Sequence, residues 1–274
     1  MTSAALAPVP TPAAPILSRH LRDGWRGQLG WSLGIGAVIG MYLPLFPSLQ
    51  SPELSKLIDS LPAELVNALG FDQIASGAGY TQATFFGLLG FVLAVIASIS
   101  WGAAFIAGTE ETGRLELTLA HAVGRAQYAL ESAAALIVKM LALGAVAFLL
   151  ILALNSPVEL DLSAANLLAV TLAWAGLGLL SGTAALAVGA ATGRRSWAIG
   201  AGAGVAVLGY GLDAVGGSND DLTWLANLSP YHWAFGNAPL AEGFDWAGLG
   251  LLWGLSAALI AVAVWALPRR DILG

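Results

Sequence analysis

GTEETGRLELTLAHAVGR, residues 108–125, is the stretch on which the fold of this chain turns. Five of its residues are charged (Glu110, Glu111, Arg114, Glu116 and Arg125), in a sequence where Asp, Glu, Lys and Arg together make up 10%. On either side lie apolar runs long enough to cross a bilayer, whose hydrocarbon core of about 30 Å takes roughly 20 apolar residues as a helix. The charged stretch is therefore a loop at a membrane face. Within it Leu115, Leu119 and Ala122 recur at i, i+4 and i+7, with Leu117 and Val123 nearby, which predicts a short amphipathic helix parallel to the membrane. Glu110 and Glu111 stand at its expected N-terminal side and Arg125 at its C-terminal side, where each suits the helix dipole. On this reading the apolar residues form a docking surface for a soluble partner and the charges orient it. A plain solvated connector is the competing reading.

Composition extends the picture outward. The 274 residues are 57% hydrophobic, with a mean hydropathy of +0.77. A soluble domain carries about 25% charged residues, so most of this surface faces lipid. The absence of cysteine excludes disulfides and thiolate metal sites. Residues 1–15, small and proline-rich, read as a disordered tail, and 16–274 as one transmembrane unit. Arg19, His20, Arg22 and Arg26 then precede the first apolar run, with none of the cleavage-site pattern of a signal peptide.

Six spans are expected, at about 29–46, 83–106, 133–154, 167–191, 198–215 and 247–267, giving an all-α polytopic membrane protein. Spans 4 and 5 are parted only by TGRRS (192–196). Two arginines at mid-bilayer would cost about 2.5–3.5 kcal/mol each, so this is a turn at a membrane face. With six spans, Arg19, Arg22, Arg26, Arg114, Arg125, Arg194, Arg195, Arg269 and Arg270 all fall on one side, nine of the eleven basic residues. The other side collects Glu53, Asp59, Glu64, Asp72, Glu159, Asp161, Asp220, Asp221, Glu242 and Asp245. The bias predicts both termini in the cytoplasm. Ile16, Leu17, Leu21 and Trp25, interleaved with arginines, predict an interfacial helix before span 1. A second amphipathic segment, 51–72, lies on the outer side; four carboxylates and Lys56 argue against its crossing.

Between spans 2 and 3 the chain resembles the permease subunits of type-2 ABC exporters. There a stretch runs as one or two acidic residues, Gly-Thr-Leu-Glu, a pair of leucines, Pro-Val and Arg. The matching positions are Glu110, Glu111, Gly113, Leu115, Glu116, Leu117, Leu119, Val123 and Arg125. Arg114 stands where Thr is usual and Ala122 where Pro is usual. NLSPYHW (227–233) and PRRDI (268–272) also resemble that family, the former its antibiotic and polyketide exporter branch. The resemblance implies that 110–125 is the coupling helix, seated in a cleft of a separate ATPase. Two such subunits would bind ATP and magnesium, and a second copy or a similar permease would complete the complex. The chain has no G-x-x-x-x-G-K-[ST] phosphate loop around either lysine, so hydrolysis belongs to the partner.

Gly30, Gly34, Gly36 and Gly40 in span 1, and Gly200, Gly204, Gly209 and Gly211 in span 5, have the spacing of close helix contacts. General Ala/Gly richness is the alternative. The resemblance places spans 1 and 5 of two protomers around the translocation path, which favours a dimer interface at Gly30, Gly34, Gly200 and Gly204. Trp31, Tyr42, Phe46, Phe85, Phe86 and Tyr210 are candidates to line that path. Lys139 and Glu131 lie near the cytoplasmic end of span 3, where Lys139 is expected to snorkel. His232, with Tyr231 and Trp233, suits an interfacial aromatic belt, and Asp213 a solvent-side cap. No catalytic constellation or metal cluster is legible, and the scattered basic residues do not suit nucleic acid. The function expected is export of a hydrophobic or amphipathic compound, drug-like or lipid-like. The alternative is a six-span binding, sensor or immunity protein with no transport cycle of its own.

Overall fold

A computed structural model describes residues 14–49, 76–120 and 123–270. Lipid offers no partner to a backbone N–H or C=O, so an apolar chain that crosses it closes its hydrogen bonds within helices. The described residues are accordingly all-helical, with no strand. The elements are α1 (Pro15–Asp23), α2 (Trp25–Leu49), α3 (Gly77–Glu111), α4 (Arg114–Leu119), α5 (Arg125–Asn155), α6 (Ala164–Thr192), α7 (Arg195–Gly216), the short α8 (Thr223–Asn227), α9 (Pro230–Phe235) and α10 (Pro239–Glu242), and α11 (Trp246–Arg269). Six of them, α2, α3, α5, α6, α7 and α11, are long and apolar enough to cross a membrane. Each contains its expected span and runs past it at both ends, because hydropathy stops at the first polar residues and helical hydrogen bonds do not. The tail up to residue 13, the outer amphipathic segment 51–72, and Ala122 lie outside the described residues.

The bundle is organised around α6. Of its most apolar window 89% is buried inside the protein, against 22% for α2, α7 and α11. The cause lies in small residues. On α3, Ala94, Ser98 and Gly102 form one stripe, and on α6, Gly178, Gly182 and Ala185 form its counterpart. A side chain on Gly102 would run into the backbone carbonyl of Gly182, and one on Gly182 into Ser98. Backbones that approach this closely gain dispersion contacts that lipid tails cannot match, which is what drives helix association where no hydrophobic effect operates. At the other end of the α6 interface Trp174 is fully buried, its ring 6.1 Å from Phe85 and 6.3 Å from Phe86. By contrast, a Cβ added to Gly30, Gly34, Gly200 or Gly204 meets nothing within 4 Å. The tight seam within the subunit is thus α3–α6, and those glycines of α2 and α7 face outward.

The N-terminal helix is held by two charges of α5. Glu131 accepts the backbone N–H groups of Ile16 (2.7 Å) and Leu17 (3.0 Å) through Oε2, and the Gln127 side chain through Oε1 (2.7 Å). Lys139 Nζ donates to the Gly24 carbonyl at the other end of α1 (3.3 Å) and lies 5.0 Å from the Trp101 ring. Eight residues of α5 rise about 12 Å, close to the length of the nine-residue α1. The anion therefore meets the positive end of the α1 dipole and the cation its negative end. The expected snorkelling of Lys139 is overturned: the residue is 2% exposed, because the α1 carbonyl end reaches it before water does. Between the two charges His20 stacks on Phe105 (centroids 4.1 Å apart), with Nε2 3.2 Å from Ser132 Oγ.

Burial, with the positive charges of Arg19 and Lys139 adding to it, lowers the His20 pKa from its usual 6.5 to about 4, and Asp23 and Glu131 oppose this only in part. The folded-state value lies below the unfolded one, so the contribution of the neutral ring is complete above about pH 6.5 and is lost as pH falls from there toward 4. Hydrogen exchange of residues 15–24, corrected for intrinsic rate, is expected to speed up on going from pH 7.5 to 5.0, and the change to vanish in His20→Phe. Gly102→Val is expected to destabilise the bundle by roughly 1–3 kcal/mol through overpacking against a backbone that cannot yield. A thermal melt in detergent reads this as a lower midpoint, while Gly204→Ala leaves the midpoint of the monomer in place.

Candidate functional site

The charged stretch between α3 and α5 is the site the sequence singles out, and its geometry follows from one glycine. α3 runs on through Glu111, and Thr112 closes its last turn by donating to the Gly108 carbonyl (3.0 Å). Gly113 then takes φ +69°, with its N–H on the Glu110 carbonyl (2.8 Å). That left-handed conformation costs other residues about 1–2 kcal/mol. The turn it makes releases α4 in a new direction. Glu110 and Glu111 consequently end α3 and do not begin α4, contrary to the dipole role expected of them.

A carboxylate at a helix C-terminus faces the negative end of the dipole and needs compensation. Glu110 gets it from Arg270, which donates Nη1 to Oε1 (2.7 Å) and Nη2 to Oε2 (2.5 Å), a bidentate pair with 9% of the Glu110 side chain exposed. The same guanidinium donates Nε to the Ala190 carbonyl near the end of α6 (3.2 Å). The Arg270 carbonyl accepts Nη1 of Arg125, at the start of α5 (2.6 Å). Glu111 accepts the backbone N–H of Arg195 (2.8 Å), and so caps the N-terminus of α7. The two acidic residues thus lock α3 to α6, α7, α11 and α5 at one end of the bundle. This end brings together all four arginine-bearing regions, the fourth through Arg19, whose Nη1 donates to Thr118 of α4 at 3.5 Å.

On α4 the faces are the reverse of the expected ones. Leu115 is fully buried and Leu119 half-buried, so they anchor the helix to the bundle and are not its docking surface. The residue presented to the outside is Leu117, 68% exposed, flanked by exposed Arg114 and Glu116. A six-residue helix lying on a protein buries the two leucines that point down, and the one between them is left facing away. Under α4, beside α1, lies a cavity of about 220 Å³ lined by Arg19, His20, Phe105, Arg114, Thr118 and Tyr128.

The six aromatic path candidates are not gathered in one place. Phe46, Phe85 and Phe86 sit in the packed core, each no more than 1% exposed. Trp31 and Tyr42 are half-buried on α2, and the Tyr42 carbonyl accepts the Tyr80 hydroxyl (2.8 Å). Tyr210, 48% exposed, lines a cavity of about 560 Å³ at the end of the bundle away from the arginines, with Gln82, Asp213, Tyr231 and Phe235. There Asp213 is no plain solvent-side cap: its Oδ1 meets Nδ1 of His232 at 2.8 Å. Ser229 shapes this corner by capping α9 at the His232 N–H (3.0 Å) while donating to the Gly209 carbonyl (2.6 Å). Sequence reading missed the roles of Arg270, Glu131 and His232. Each was visible as a charge or a polar residue in an apolar context, and its partner lies 160, 115 or 19 residues away.

A double-mutant cycle on Glu110→Gln and Arg270→Gln is expected to give a coupling of roughly 1.5–3 kcal/mol from unfolding midpoints, the range of charge-assisted hydrogen bonds. The exposed Arg19–Asp23 pair, at 3.5 Å, should couple only weakly in the same assay.

A family model described as ABC-2 family transporter protein matches residues 14–272, nearly the whole chain. No curated protein matches it. The match agrees with the six long apolar helices and with the charged turn that follows the second. The chain belongs to the ABC-2 transporter family, as a multi-pass membrane permease of an ABC transporter whose partner is an ABC ATPase.

Proposed function

We propose that this permease works as an exporter, moving a hydrophobic or amphipathic compound of the antibiotic-like or lipid-like kind out of a bacterial cell. In this reading both termini and α4 lie in the cytoplasm. The ATPase occurs in two copies, binds ATP and magnesium, and grips α4, which is the coupling helix. The observation that carries the reading is how α4 is mounted. It presents Leu117 outward, is pinned from below by Leu115, and hangs from a turn whose two carboxylates are fastened to neighbouring helices. A push on α4 is therefore delivered through Glu110 to Arg270 and α6, and through Glu111 to the first turn of α7. The positive-inside bias supports the orientation, since Arg19, Arg125, Arg195 and Arg270 meet at the α4 end.

The permease is a dimer in the same proposal. The open glycine stripes Gly30, Gly34 and Gly200, Gly204, with Leu33 72% and Val207 70% exposed, offer faces on α2 and α7 where a second copy packs closely. The likeness of residues 227–233 to the antibiotic and polyketide exporter branch supports the substrate class.

Leu117→Asp tests the coupling role. In proteoliposomes holding permease and ATPase, ATP-driven efflux is expected to fall at least tenfold. The thermal midpoint should stay put, because the side chain has little packing to lose. Undiminished efflux would sink the proposal. Orientation is read separately: the chain has no native cysteine, so Leu117→Cys should react with an impermeant maleimide in inverted vesicles and stay unlabelled in intact cells.

A further inference from the structure

We propose that the cavity at the end of the bundle opposite α4 is a binding site for a lipophilic organic cation, with Asp213 as its charge partner. The role of this site in transport rests on the exporter reading; the binding itself does not. The cavity of about 560 Å³ is of the size that takes a drug-like molecule, roughly 300–1,000 Å³. Its wall is largely apolar, built chiefly of glycine and alanine with Tyr210, Tyr231 and Phe235 standing among them. Tyr231 stands edge-to-face with Tyr210 (5.2 Å), Phe235 (5.0 Å) and Phe91 (5.3 Å), and its hydroxyl is tied to the Gly87 carbonyl (2.8 Å). Tyrosine and phenylalanine rings attract a cation that settles over their faces.

Asp213 is the one charged residue among those lining the cavity. His232 fixes its carboxylate by way of Oδ1, while Oδ2 takes no hydrogen bond among the described residues and remains for a ligand. Among the described residues the surroundings are acidic. Glu159, Asp161, Asp221, Glu242 and Asp245 share this end of the bundle, and no described Lys or Arg does. Asp245 is already committed to the first turn of α11, accepting the Ala247 and Gly248 N–H groups at 3.0 Å. An acidic end with low-dielectric walls concentrates cations and turns anions away. A carboxylate that no described Lys or Arg pairs with, set in a mouth that holds Tyr210, Tyr231 and Phe235, is a receptor for a bulky cation and a poor one for its anionic twin.

The test is equilibrium binding to the full chain in nanodiscs at pH 8. The probes are tetraphenylphosphonium and tetraphenylborate, which share a shape and differ in charge. The phosphonium is expected to bind at least tenfold more tightly. Asp213→Asn should weaken its binding at least tenfold, Asp213→Glu should keep it within a few-fold, and Asp221→Asn should leave it unchanged. Tyr210→Ala, at the exposed rim, should weaken it several-fold. Equal binding of the two ions, or binding indifferent to Asp213→Asn, overturns the site. If Asp213→Asn does not fold, the ion comparison and Tyr210→Ala decide. Asp213-dependent phosphonium binding without ATP-driven efflux leaves the site standing and removes the export reading. ATP-driven efflux of an uncharged amphiphile, with phosphonium binding blind to Asp213, does the opposite.

Discussion

The close approach of α3 to α6 is the constraint from which the rest of the subunit follows. Helices in lipid gain nothing by hiding apolar side chains from one another, so what holds them is contact at short range. Ala94, Ser98 and Gly102 on one side and Gly178, Gly182 and Ala185 on the other remove the side chains that would keep the backbones apart. With α6 drawn against α3, α5, α7 and α11 pack around it, and α6 becomes the axis of the bundle. The glycines Gly30, Gly34, Gly200 and Gly204 of α2 and α7 take no part in this seam and face outward.

A second rule governs the charged residues. Several charged side chains answer a helix end that belongs to another segment. Glu131 meets the N-terminus of α1 and Lys139 its C-terminus; Glu111 caps α7, and Arg270 takes a carbonyl at the end of α6 while neutralising Glu110. In a low-dielectric interior an uncompensated charge or an orphaned N–H is expensive, and pairing the two removes both costs. The result is mechanical as well as energetic. The turn at Gly113 hangs from the ends of several helices, which makes it a fitting place for a soluble motor to apply force. At the far end the same rule is only half met: His232 orients Asp213, and no Lys or Arg among the described residues pairs with it.

Much of this was legible in particular residues. The six spans were readable because about twenty apolar residues in a row admit no other structure in lipid. The grouping of nine arginines at one end came from loop parity alone, and Arg270, Arg125, Arg195 and Arg19 do meet there. The short helix after the second span was readable from the spacing of Leu115 and Leu119, but its outward face was not. Hydrophobic periodicity marks a stripe that is buried somewhere; it does not say whether the burying surface belongs to the same chain or to a partner. Here the chain itself covers Leu115.

By itself, then, the sequence determined solvent, span number, the grouping of charge by loop parity and the location of the charged turn after the second span. These depend on local composition and on counting, and both survive without knowledge of contacts. Tertiary structure alone decided which glycines are interfaces within the subunit, that Glu131 and Lys139 bracket α1, that Arg270 closes on Glu110, and that Asp213 shares a cavity with Tyr210, Tyr231 and Phe235. The physical reason is the same in each case. Close packing and charge pairing are properties of two segments at once, and the partners lie tens to more than a hundred residues apart along the chain. Only the folded geometry makes them neighbours.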